Sequence, residues 1–221
     1  MRTLLHASFD PPSRALRLVM AEKSLTFQGV ALDLSAMDDS ERETLAAANP
    51  AMTLPVLIDQ APSGETASIA PLIAAIDYLE EAYPEPIIYP KTAAGRAEMR
   101  RLILWFADKF AREVSAPLLT RGDLAGERRR EAFSALRWHL DYFEWLLERR
   151  ACLACDRISA ADLVAAAFLS THDYFGDVPW ADFPETQGWH RRMKSRPAMR
   201  AILDDRSPHA PPRPGYADPD A

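Results

Sequence analysis

Glycine is scarce in this sequence: eight of 221 residues, about 4%, against roughly 7% in ordinary proteins. None of the eight falls in a G-x-G-x-x-G or G-x-x-x-x-G-K-[ST] arrangement. No glycine loop is available to cradle a phosphate, which argues against dinucleotide and P-loop nucleotide chemistry. Cysteine is scarcer still: Cys152 and Cys155 make no disulfide framework in a chain of this size. No apolar run reaches the roughly 18 residues that would span a bilayer, and Met1–His6 lacks the apolar stretch and cleavage site of a signal peptide. Positive charge is short as well, since 26 Lys and Arg against 32 Asp and Glu leave a net charge of -6, unfavourable for nucleic acid. The runs Arg128–Arg130 and Arg191–Arg192 lie in charge-mixed helical context and read as solvated faces. The expectation is a cytoplasmic protein with neither membrane insertion nor nucleic-acid binding.

What the chain has in excess is proline, 18 residues, beside a hydrophobic content of 48% that can bury a sizeable core. The length suits one large or two small domains. In the first 83 residues short strands and helices alternate. Arg2–Ala7 and Thr26–Leu34 read as strands around a helix from Ser13 to Lys23, where Leu16, Val19, Met20 and Lys23 recur at helical spacing. A second helix is expected from Ser40 to Ala48, with Ser40 as N-cap and Glu43 completing a capping box. Pro55–Ile58 reads as a buried strand, Ala61–Glu65 as a turn, Ala67–Ile69 as a strand and Pro71–Ala82 as a helix with Pro71 in its first turn. Such an order makes a small α/β layer.

Residues 84–91 contain Pro84, Pro86 and Pro90 and suit a stiff linker. Residues 92–205 read as all-helical. Ala93–Val114 carries Leu102, Trp105, Phe106 and Phe110, and 124–149 carries Phe133, Leu136, Leu140, Phe143 and Leu147 as an apolar stripe. Ser159 and Asp162 form a capping box opening Ala160–Thr171, and shorter helices follow at Phe183–Ser195 and Pro197–Asp204. The five tryptophans, at positions 105, 138, 145, 180 and 189, share this helical spacing and read mostly as core. Residues 206–221, with five prolines from Pro208 to Pro219, form an extended tail. Cys152-Leu153-Ala154-Cys155 is a lone C-x-x-C with no matching histidine spacing for zinc. It reads as two small apolar side chains at a helix end. His172 beside Asp173 suggests an acid/base pair, but with no nucleophile elbow nearby a packed histidine is expected.

Four segments in order resemble one known family. Pro12-Ser13-Arg14-Ala15-Leu16-Arg17 is similar to the segment that opens its first helix, and Asn49–Leu57 to its N-P-x-x-x-V-P-x-L segment, whose second proline is cis. Ile76–Pro84 resembles its Y-L-E-x-x-Y-P close of helix three, and Ile158–Leu163 its S-x-A-D capping box. The family is the cytosolic glutathione S-transferase superfamily. The resemblance implies an α/β thioredoxin-like N-terminal domain (1–83) plus an all-α C-terminal domain (92–205), together the GST fold.

It also implies three glutathione-binding elements. The backbone of Leu54, before cis Pro55, would receive the tripeptide as if adding a strand, although a purely structural proline serves the fold equally. A hydroxyl or thiol at the start of the first helix would stabilise the glutathione thiolate, and that position is Asp10. A carboxylate there repels a thiolate and raises its pKa. Ser8 and Ser13 are substitutes, Ser13 reading better as an N-cap or first-turn residue. A Glu/Asp-Ser pair at the start of helix three would hold the γ-glutamyl group, and it falls on Pro71-Leu72, which lack the N–H and the hydroxyl. Glu65-Thr66 or Thr66–Ser68 replaces the pair only if the register slips by several residues. The glutathione site therefore reads as degenerate, with no cofactor expected.

Trp105–Phe110, Trp138–Tyr142, Asp173–Trp180, Met193–Pro197 and the tail Pro211–Asp218 resemble a subgroup of alphaproteobacterial GST-like proteins of cell division. This narrower resemblance implies a cytoplasmic homodimer at the division site that binds FtsZ filaments, or another division protein, and promotes constriction without conjugation. Arg213, Tyr216 and Asp218 of the tail are the candidate protein-binding residues, the alternative being a strap over the chain's own surface. The alternative functions are an active transferase conjugating glutathione to small electrophiles, or a site for another small acid or thiol.

Overall fold

The computed structural model describes residues 1–60, 64–120, 126–207 and 210–219. Strands β1 (Arg2–His6), β2 (Gln28–Ala31), β3 (Val56–Gln60) and β4 (Thr66–Ile69) form one sheet in the order β2-β1-β3-β4. Helix α1 (Pro11–Glu22) returns the chain from β1 to the parallel β2, and β3 runs antiparallel to both β1 and β4. Side chains alternate across a strand. Leu4 and Leu57 accordingly join Leu16, Val19 and Ile76 in the main core, while Leu5 and Val56 face α2 (Asp39–Ala48) and pack with Leu45 and Leu54. Helix α3 (Leu72–Ala82) closes this half.

Several boundaries move, each for a local reason. Helix α1 begins at Pro11, because Pro11 and Pro12 occupy the positions where a missing N–H costs nothing. Asp10 is the N-cap, and Ser13 is the third helical residue. The capping box of α2 is Asp38 with Glu41, not Ser40 with Glu43: the Asp38 carboxylate accepts from Glu41 N at 2.8 Å, and Glu41 accepts from Asp38 N at 3.0 Å. Ser40 lies inside the helix, where its carbonyl accepts from Thr44 Oγ1. Pro71 stands one residue earlier than expected, as the N-cap of α3 after a cis Ala70–Pro71 bond. Strand β2 is confined to four residues at the sheet edge. Within the expected Ala61–Glu65 turn, residues 61–63 lie outside the described residues, as do the start of the expected 124–149 helix, Pro208 and the last two residues of the tail.

The helical half is built around α7 (Ala160–Tyr174), whose every residue is buried. Around it stand α4 (Ala93–Leu104), a π-helical segment (Trp105–Ser115) continuing into α5 (Ala116–Leu119), α6 (Gly126–Leu147), α8 (Pro184–Lys194) and α9 (Arg200–Leu203). The expected helix over 93–114 is thus one continuous rod that widens to π geometry from Trp105 onward. The Ser159–Asp162 box caps α7, and the Asp162 carboxylate also accepts from Leu153 N at 2.8 Å and Trp189 Nε1 at 3.1 Å. Trp180 and Trp189 are buried, but Trp138 and Trp145 are each 51% exposed, which corrects their reading as core. They stand on the outer side of α6, in a stack running Trp138, Trp105, Tyr142, Trp145.

Candidate functional site

Sheet register brings the three expected binding elements to one corner. Leu5 pairs with Val56 and Leu57 with Ile69, so the end of β1, the start of β3 and the end of β4 lie side by side. The α1 N-terminus, the Leu54–Pro55 bond and the α3 N-terminus therefore converge there. Leu54–Pro55 is cis, as the resemblance implied, and Leu54 is buried.

The polar groups of this corner are committed to one another. The Asp10 carboxylate accepts from Ser13 N at 2.9 Å and from Ser13 Oγ at 2.6 Å, and Ser13 Oγ in turn accepts from Ala7 N at 3.2 Å. Desolvation pushes the Asp10 carboxyl up to about 6, against the opposing pull of the two Ser13 hydrogen bonds. Ser13 is fully buried, with its hydroxyl consumed as donor and acceptor. Ser8 is half-buried in the turn before Asp10. At the other end Pro71 brings no cap hydrogen bond, and Leu72 turns into the core. Of the register-slip alternatives, Thr66–Ser68 lies in β4, where Ser68 donates to Ala48 O at 2.7 Å. The corner carries one half-buried carboxyl group, Asp10, poorly matched to a thiolate or a second carboxylate.

A second constellation, spanning the two halves, holds the tail. Arg14, on the Leu18 side of α1, is 0% exposed. It donates to Asp205 Oδ2 at 2.8 Å, Ser170 Oγ at 3.1 Å and the Tyr216 hydroxyl at 2.6 Å. Tyr216 is only 2% exposed and packs edge-on against Tyr174 at 5.0 Å. Arg213 N donates to Tyr174 O at 2.9 Å, and Arg213 Nε donates to Asp173 Oδ1 at 2.5 Å. Asp173 also accepts from Trp180 Nε1 at 2.6 Å and lies 3.5 Å from Lys194 Nζ. The tail is a strap in which Arg213 and Tyr216 face inward and Asp218 faces outward. Sequence reasoning gives Arg14, Tyr174 and Asp205 no individual role and considers Asp173 only beside His172. The available signal was a charged residue, Arg14, on the core face of an amphipathic helix.

The remaining candidates are structural. His172 is buried, with Nε2 3.0 Å from Ser115 Oγ and Nδ1 3.2 Å from Asp177 Oδ2. Burial pushes the Cys152 thiol up to about 11, away from thiolate chemistry, and Cys155 Sγ donates to Arg157 O at 3.2 Å. Among the described residues no group of three His, Cys, Asp or Glu could hold a metal ion, and no helix is long and apolar enough to cross a membrane.

Residues 106–197 match the family described as glutathione S-transferase, C-terminal domain. Over 98% of its length this chain is 40% identical to FtsZ-localized protein A of Caulobacter vibrioides, covering 97% of that relative. It superposes on the structure of FzlA from C. crescentus with a TM-score of 0.92 at 39% identity, covering 100% of this chain and 99% of the other. A glutathione S-transferase from Rhodospirillum rubrum F11 superposes with a TM-score of 0.89 at 38% identity, each chain covered completely.

Proposed function

This chain belongs to the glutathione S-transferase family, and we propose that within it the chain serves as a protein-binding regulator of bacterial cell division. It associates with FtsZ filaments as a cytoplasmic homodimer at the division site and does not conjugate glutathione. The observation that carries this reading is the full-length, 40% identical match to FtsZ-localized protein A. The geometry of the sheet corner supports it. A glutathione thiolate would meet Asp10 instead of a hydroxyl, and a γ-glutamyl carboxylate would meet Pro71 and Leu72. The strap supplies the partner contact: Arg213 and Tyr216 hold it in place, and Asp218 is presented outward.

The test is co-sedimentation with FtsZ polymers, for the whole chain and for a chain lacking residues 207–221. Binding by the whole chain and its loss on truncation are expected. Absence of the whole chain from the polymer pellet overturns the reading. A second reading, an active transferase, is favoured by the likeness to the Rhodospirillum rubrum glutathione S-transferase. Retention on immobilised glutathione together with turnover of chlorodinitrobenzene would establish it.

A further inference from the structure

The strap carries its own local structure. In Arg213-Pro214-Gly215-Tyr216, Tyr216 N donates to Arg213 O at 3.1 Å and Gly215 has φ 75°. Proline at the second position and a positive-φ glycine at the third are the marks of a type II turn. The turn places the Arg213 and Tyr216 side chains on the same side, toward the body, and Pro211 and Pro212 keep the approach extended. The receiving surface is made wholly from other elements: Arg14 of α1, Ser170, Asp173 and Tyr174 of α7, and Lys194 of α8, whose Nζ lies 5.9 Å from the Tyr216 ring centroid. Asp205 keeps Arg14 paired whether or not the tail is seated. Ligand and receptor thus come from separate segments, and a turn whose second residue is the φ-restricted Pro214 loses less entropy on seating than an unrestricted one.

We propose that the cleft between α1, α7 and α8 is a peptide-docking site for an Arg-x-x-Tyr turn, filled here by the chain's own tail and able to take the tail of a second copy in exchange. The contacts are identical in both arrangements, so exchange costs no interaction energy and is governed by protein concentration. In the exchanged form each tail joins α1 and α7 of the opposite copy, which gives the proposed homodimer a defined link. This part rests on the homodimer reading above; the docking site itself does not.

Two measurements test the proposal. The first adds a fluorescent peptide of residues 210–219 to the full chain carrying Tyr216→Ala, whose cleft has lost its anchor. Binding at least tenfold tighter than to the unaltered chain is expected, and at least a tenfold drop when the peptide's own Arg or Tyr is replaced by alanine. Equal binding to both proteins overturns the docking site, and Tyr216→Phe replaces Tyr216→Ala if the latter does not fold. The second mixes isotopically heavy and light copies carrying Tyr216→4-azidophenylalanine and irradiates them. Heavy–light cross-links between position 216 and the Ser170 region are expected. Exclusively same-copy cross-links in a sample that sediments as a dimer overturn the exchange. A sample that sediments only as monomer overturns the exchange and the homodimer reading together, while the peptide measurement still decides the docking site. FtsZ co-sedimentation enters neither result.

Discussion

Replacing Asp10 by asparagine isolates the electrostatics of the corner where a transferase would hold its thiolate. Desolvation moves the carboxyl from its ordinary 3.8 to about 6 in the folded chain. The native state therefore binds the proton more tightly than the unfolded chain does. Stability contributed by that proton is fully present below pH 3.8 and is lost as pH rises through 6. At one pKa unit per about 1.4 kcal/mol, the loss at neutral pH is at most about 3 kcal/mol. Asp10 is only half-buried, and solvent screening brings this to about 1.5 kcal/mol.

Asparagine keeps the acceptor for Ser13 N and Ser13 Oγ and caps a helix about as well as aspartate. It forgoes about 0.5 kcal/mol of attraction between a carboxylate and the helix N-terminus. Asp10→Asn is therefore expected to be stability-neutral near pH 4 and to stabilise the chain by about 1 kcal/mol at pH 8, a rise in Tm of about 2–4 °C for a chain of this size. Urea titrations of both proteins at half-unit steps from pH 4 to 8 measure the difference. Parallel stability profiles across that range would refute the reasoning, because they would mean that Asp10 titrates as an ordinary surface carboxylate.

Tyr216→Phe removes the hydroxyl shared by Arg14 and Ser170 and is expected to cost about 2 kcal/mol, a fall in Tm of about 4–8 °C by calorimetry. Asp162→Ala strips the acceptor from Leu153 N, Ser159 N and Trp189 Nε1 in a buried site. A loss above about 3 kcal/mol is expected from urea midpoints, and a loss under 1 kcal/mol would contradict the network. Burial holds His139 and His190 near 4, below the ordinary 6.5. Their contribution is present above pH 6.5 and lost as pH falls to 4, by at most about 3 kcal/mol each. His139→Gln, which can still accept from Trp105 Nε1, should flatten the stability profile in that window.

Local chemistry is what the amino-acid sequence discloses most directly. The Ser159–Asp162 box and the Pro55 segment are each written in fewer than ten consecutive residues, and their geometry is self-contained. Two competing signals within one stretch are harder to separate: Asp38–Glu41 and Ser40–Glu43 both have the spacing of a capping box, and an acidic cap gains additionally from the helix dipole. An apolar stripe looks the same in sequence whether it faces a core or solvent, which is why Trp138 and Trp145 read as core although each is half exposed. The α-to-π transition at Trp105 leaves the apolar spacing helical and has no separate mark. The Arg14–Tyr216 contact joins residues 202 positions apart, and no local pattern announces a pairing of that span.

Those long-range contacts bear on catalysis as well as on stability. A conjugating site needs polar groups at the first turn of α1 that are free to turn toward a ligand. Here Asp10 is bonded to Ser13, Ser13 to Ala7, and Arg14 to Asp205, Ser170 and Tyr216. Recruiting any of them means first breaking an internal hydrogen bond, at about 1–3 kcal/mol for each buried group left unpaired. Glutathione would have to meet that cost at one end of the cleft while finding Pro71 and Leu72 at the other. The first helix thus directs Arg14 to the protein's own tail and bonds Asp10 to Ser13. Restoring a hydroxyl at position 10 alone would leave the Ser13–Ala7 and Arg14–Tyr216 bonds in place, so the first turn of α1 would still be engaged with the protein itself.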